Sequence, residues 1–142
     1  MTTDAARQRA SSGRPWETAN GYSRAVRVGP FVAVAGTVAA DAEGKPMHPG
    51  DAHAQTLAAI ERIASDLAQV GGSLADIVRT RAFITRIEDA DAVGRAHGEV
   101  MGSIRPALTL LQVAGLIAPE FLVEIEADAI VGSLCSCASN QG

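Results

Sequence analysis

The run Leu122 to Val131, LVEIEADAIV, alternates without a break: Val123, Ile125, Ala127, Ala129 and Val131 hold one parity, and Leu122, Glu124, Glu126, Asp128 and Ile130 the other. A period of two marks a β-strand whose two faces meet different surroundings, so one face enters a core while the other gathers three carboxylates. Like charges on one sheet face repel unless cations or water meet them. The chain must therefore build a sheet with one apolar face and a second face supplied with cations, solvent or another subunit. Arg79, Arg81 or Arg105, on neighbouring strands or subunits, is the cation expected to pair with Glu126 and Asp128, whereas a carboxylate of this row that holds a water in an intersubunit cleft would serve proton transfer.

Other segments supply the remaining elements. In YSRAVRVGPFVAVAG, Arg24, Val26 and Val28 share a face, Gly29-Pro30 turns the chain, and Phe31 to Ala35 is apolar on both faces, which predicts a hairpin. Pro49-Gly50-Asp51 offers a break and an N-cap, after which Leu57, Ile60, Ala64 and Leu67 recur at helical spacing until Gly71-Gly72. Asp76 to Arg86 reads as a strand with Val78, Ala82 and Ile84 on one face and Ile77, Arg79, Arg81 and Phe83 on the other. Glu88 to about Ser103 reads as a second helix, and Pro106 to Val113 as another strand. On this helix Gly94, Gly98 and Gly102 recur every four residues; each glycine costs about 1 kcal/mol relative to Ala, so the stripe predicts close packing against the sheet. His97 shares a helical face with Val93, Val100 and Met101 and is expected to be packed. His48 and His53 are expected to be solvated.

The predicted order is β-β-α-β-α-β-β, an α+β fold with two helices on one face of a mixed sheet. Two helices cannot cover both faces, so self-association through the open face follows. At 142 residues the chain has room for one domain, expected over 16–131, with mobile tails at 1–15 and 132–142. The net charge of −4 disfavours a nucleic-acid partner, which requires excess cations. No apolar run approaches the ~20 residues of a membrane span and residues 1–15 hold no apolar signal core, so no membrane partner and a cytoplasmic location are expected. Cys135 and Cys137 have no second Cys or His pair nearby, and no phosphate loop, HExxH or GxSxG occurs; no metal and no cofactor is expected.

Together GYSRAVRVG, the VAVAGTVA strand end that contains Gly36, QTLAAIERIASDLAQVGGSLADIVRTRAFIT, and RPALTLLQVAGL followed by LVEIEADAIV resemble the Rid (RidA/YjgF) family of reactive intermediate deaminases over about Gly21 to Val131. The resemblance implies a chorismate-mutase-like fold, a homotrimer and intersubunit clefts that take a small molecule such as a 2-imino or 2-keto acid. It further implies hydrolysis of imines and enamines, with a tyrosine lining the cleft, a glutamate in the last strand positioning water, and an arginine after Pro-Ala clamping the substrate carboxylate. Tyr22 and Glu124 match the first two. Leu108 stands where the arginine would be, which removes a charge-assisted hydrogen bond of ~1.5–3 kcal/mol and resembles subgroups that lack the arginine. Trp16-Glu17 and Ala96-His97-Gly98-Glu99 look like features of such a subgroup.

The implied site is Glu124 as the catalytic group, with Tyr22, Gly36, Arg105, Leu108 and Thr109 on the substrate. Leu108 leaves two classes open: a deaminase of altered specificity, and a non-catalytic ligand-binding or sensor protein of the same fold. Endoribonuclease activity is less favoured by the charge.

Overall fold

The computed structural model describes residues 6–132. Strands β1 (Gln8–Ala10), β2 (Ala25–Val28), β3 (Phe31–Thr37), β4 (Ile77–Ile84), β5 (Ala107–Gln112) and β6 (Val123–Ile130) form one sheet in the order β1-β2-β3-β6-β4-β5. Only β4 and β5 run parallel, so the sheet is mixed. Helices α1 (Pro15–Asn20), α2 (Ala52–Gln69) and α3 (Ala90–Met101) complete the fold. The hairpin closes at Gly29-Pro30 with Val28 opposite Phe31, and Gly29 takes the positive φ of 60° that such a tight loop requires.

Helix α2 starts where the Asp51 carboxylate accepts the Ala54 N–H at 2.9 Å, satisfying one of the otherwise orphaned first-turn donors. Its Ala59, Ile60, Ile63 and Leu67 are buried, and they share a core with Val93 and Met101 of α3 and with Val123, Ile125, Ala127 and Ala129 of β6. Both long helices thus cover the apolar face of the sheet. The opposite face carries Glu124, Glu126 and Asp128, which register directly against Phe83, Arg81 and Arg79 of β4.

Several sequence expectations are corrected. Gln8–Ala10 lie within the expected mobile tail yet form an edge strand on β2, and Ala10 is fully buried. Within the single chain β3 buries Val32 and Val34 against the helices and leaves Phe31 and Ala33 on the face that the helices do not cover. In β4 the pairing with β6 shifts between Ile77 and Arg79, so Ile77 turns into the core with Thr80, Ala82 and Ile84, while Val78 is exposed. A single inserted residue moves a side chain to the other face. The glycine stripe faces away from the sheet: a methyl built on Gly94 or Gly98 meets nothing within 4 Å, and the packed face of α3 is Val93, Ala96, His97 and Met101. Cys135 and Cys137 lie outside the described residues.

Candidate functional site

A second irregularity builds the site. Between Val34 and Thr37 the β3–β6 register shifts, and the extra residue brings Gly36 against Glu124. A methyl on Gly36 would lie 2.7 Å from Glu124 Oε1, so the carboxyl rests on bare backbone. Glycine is needed here for close approach rather than for an unusual φ.

The Glu124 carboxyl opens onto a cavity of about 720 Å³ whose lining includes Arg14, Trp16, Tyr22, Arg24, Gly36, Arg62, Ile117, Phe121 and Glu124. Among the described residues no hydrogen bond or ion pair engages the Glu124 carboxyl, in contrast to those of Glu126 and Asp128: Arg81 reaches Glu126 at 3.3 Å and Asp128 at 3.4 Å. Arg81 therefore supplies the expected pairing partner for the lower part of the acidic row. Burial pushes the Glu124 pKa above the ordinary carboxylate value; the Arg24 charge partly offsets this and Glu126 adds to it. A carboxyl with a raised pKa and no protein partner is a candidate for proton exchange with a bound water or ligand.

Arg24 is buried and held by Asp66 of α2, with Nε 3.2 Å from Oδ2, and it also donates to the carbonyl oxygens of Gly36 and Ala35 and to Thr37 Oγ1. It thereby pins the bulge on which Gly36 sits. Desolvation raises the Asp66 pKa, opposed by the Arg24 charge and hydrogen bond. Helix α1 roofs the cavity: buried Glu17 accepts from Ser11 Oγ at 2.9 Å and from Ser12 N, Trp16 stacks under the Arg14 guanidinium at 5.4 Å, and its ring approaches Gly44.

Of the residues implied for the site, Tyr22, Gly36 and Glu124 converge on this cavity. Arg105, Leu108 and Thr109 do not line it. Leu108 registers with Thr80 and Thr109 with Arg81 on β5, two strands from β6, and both are exposed; Arg105 precedes them at φ 52°. His97 is buried, with Nε2 2.9 Å from Thr80 Oγ1, and desolvation lowers its pKa, as a packed histidine requires. His48 is exposed, and His53 pairs with Glu99 at 2.8 Å. Sequence reasoning did not place Arg14, Arg24 or Arg62 in the site, because no local period links positions that far apart. Among the described residues no group of His, Cys, Asp and Glu could hold a metal, and no helix is long and apolar enough to cross a membrane.

This mixed α+β fold matches known proteins. The Endoribonuclease L-PSP family model matches residues 13–131. The fold is similar to the crystal structure of a Mycobacterium tuberculosis member of the YjgF/YER057c/UK114 family, at TM-score 0.80 and 48% identity over 89% of this chain and 100% of that one. An uncharacterized protein of Streptomyces coelicolor is 41% identical over 137 residues, 96% of this chain and all of that protein. The 3-aminoacrylate deaminase RutC of Acinetobacter baylyi is 34% identical over 110 residues, 78% of this chain and 86% of RutC. The chain belongs to the Endoribonuclease L-PSP (YjgF/RidA) family.

Proposed function

We propose that the chain is an imine or enamine hydrolase of altered specificity whose catalytic group is Glu124. The observation that carries this reading is the unpaired Glu124 carboxyl, seated on Gly36 and opening onto the cavity. In the proposed reaction an enamine first tautomerises to the imine; Glu124 takes a proton from a water as the water oxygen bonds to the C=N carbon and passes that proton to the nitrogen, giving a carbinolamine. Glu124 then takes the carbinolamine hydroxyl proton and delivers it to the nitrogen as the C–N bond breaks, releasing ammonia and a carbonyl product and leaving the carboxylate as it began. Burial raises the Glu124 pKa, which makes the carboxylate a stronger base toward water than an exposed glutamate. Relatedness to a 3-aminoacrylate deaminase supports the reaction class.

The protein acts as a homotrimer in this reading, with Leu108, Thr109 and Arg105 of β5 brought to a neighbouring subunit's cleft. Phe31, Ile130, Leu108 and Leu111 are exposed and uncovered by the helices, which supports burial against further copies. Light scattering should report about three times 14.6 kDa; a stable monomer at micromolar concentration contradicts the assembly. The competing reading, a ligand-binding protein without turnover, is favoured by Leu108 at the position of the family arginine. Ammonia release from enzymatically generated 2-aminoacrylate and bulkier 2-imino acids separates the two. Turnover above background by the wild type that falls at least about 100-fold in Glu124→Ala supports hydrolysis, and none across the panel refutes it.

A further inference from the structure

Three guanidiniums, Arg14, Arg24 and Arg62, line the cavity together with one carboxylate, Glu124, in a chain whose net charge is −4. Arg24 is neutralised by Asp66 at 3.2 Å. Among the described residues no carboxylate pairs with Arg14 or Arg62. Their protein contacts are to neutral groups: Arg62 Nη1 donates to the Val38 carbonyl, Arg14 Nη2 donates to the Asp41 carbonyl, and Arg14 lies over the Trp16 ring. Each guanidinium carries five N–H donors in a planar fork, and among the described residues no buried side-chain nitrogen lacks a partner, so the remaining donors open to the cavity or solvent. Desolvation, followed by repulsion from Arg14 and Arg24, pulls the Arg62 pKa below its ordinary value, with the Asp66 charge offsetting this in part; an anion beside these cations would relieve the remaining repulsion.

We propose that Arg62 and Arg14 form a carboxylate-binding end of the cavity, so that its ligand is an acid with an apolar body that runs past Trp16 toward Glu124. The inference deepens the substrate cleft proposed above and rests on that assignment of the cavity. The anion is held at the α1–α2 end rather than through position 108, where leucine offers no donor. Arg24 lines the same cavity, and its charge acts on both Glu124 and Arg62. Trp16, Ile117 and Phe121 give the cavity an apolar lining. The volume, about 720 Å³ in the single chain, leaves room for an acid larger than three carbons.

Calorimetric titration with phenylacetate and its neutral analogue phenylacetamide tests this at low ionic strength, without any C=N chemistry. The wild type should bind phenylacetate at least about tenfold more tightly than phenylacetamide, because charge-assisted bonds engage only the anion. Arg62→Gln should abolish the preference and Arg62→Lys keep part of it, since lysine retains the charge but not the fork. Arg14→Gln should weaken phenylacetate alone; Arg14 is only half-buried and carries the test should Arg62→Gln fail to fold. Arg95→Gln on the exposed side of α3 is the charge-matched control and should change nothing. A wild type without preference, or a preference that survives both Arg62→Gln and Arg14→Gln, overturns the inference. Ammonia release is measured separately. Anion preference without turnover leaves the carboxylate site standing and removes the hydrolase reading; turnover without anion preference does the reverse.

Discussion

Gly36→Ala isolates the position of the Glu124 carboxyl from the stability of the fold. The added methyl would stand 2.7 Å from Oε1 and 3.0 Å from Cδ, so the carboxyl must retreat by about 0.7 Å to reach ordinary contact at 3.4 Å. Only the far end of a flexible side chain is in the way. A displaced rotamer costs about 0.5–1.5 kcal/mol, while replacing glycine at a φ that alanine tolerates returns about 0.4–1 kcal/mol by restricting the unfolded chain. Net stability should stay within about 1 kcal/mol, a melting shift of no more than ~4 °C. Catalysis has no such compensation, since a misplacement near 1 Å costs about 100-fold. For the proposed hydrolase kcat/KM should fall ~10- to 100-fold, equivalent to about 1.4–2.7 kcal/mol of transition-state stabilisation. The assay is ammonia release from enzymatically generated imines beside differential scanning calorimetry. Activity within twofold of wild type would show that Glu124 does no chemistry at this place, and a melting point lowered by more than about 10 °C would show that the contact cannot be relieved by the side chain.

Because Glu126 helps to raise the Glu124 pKa, Glu126→Gln should lower the acid limb of the kcat/KM pH profile, and the freed Arg81 acts in the same direction; an unmoved limb would dissociate it from Glu124. His97 has a folded pKa depressed from 6.5, so the folded state binds fewer protons than the unfolded one. Its contribution to stability is present above pH 6.5 and is lost as pH falls from there through the folded pKa; urea midpoints across pH 5–8 should show that loss in wild type and less of it in His97→Gln. Arg24→Met should destabilise by about 3–5 kcal/mol, since it strands Asp66 without its partner, whereas Arg24→Met/Asp66→Leu should recover part of the loss; urea unfolding reads both, and a near-neutral single variant contradicts the buried pairing.

Periodic segments were legible in the sequence because a side chain's face follows from its neighbours alone. The alternation over 122–131 predicts β6 and its acidic face, Asp51 caps the helix that the 3.6-residue spacing predicts, and Gly29-Pro30 marks the hairpin. The same logic misplaced Ile77 and Val78, since one bulged residue resets the parity and only pairing with β6 shows where that happens. It also misread Gly94 and Gly98: spacing shows that they share a helix face but not which face meets the sheet. Strand β1 escaped detection because its three residues become a strand only by pairing with β2. The strand glutamate, Gly36 and Tyr22 could be carried over from a family resemblance, but the charge balance of the site could not. Arg24 meets Asp66 across 42 positions, and Arg14 and Arg62 come to one cavity from the start of α1 and the middle of α2. Local sequence determines what each segment becomes; which charges are neutralised and which are left facing the cavity depends on long-range packing, because ion pairing is set by distance in space rather than along the chain.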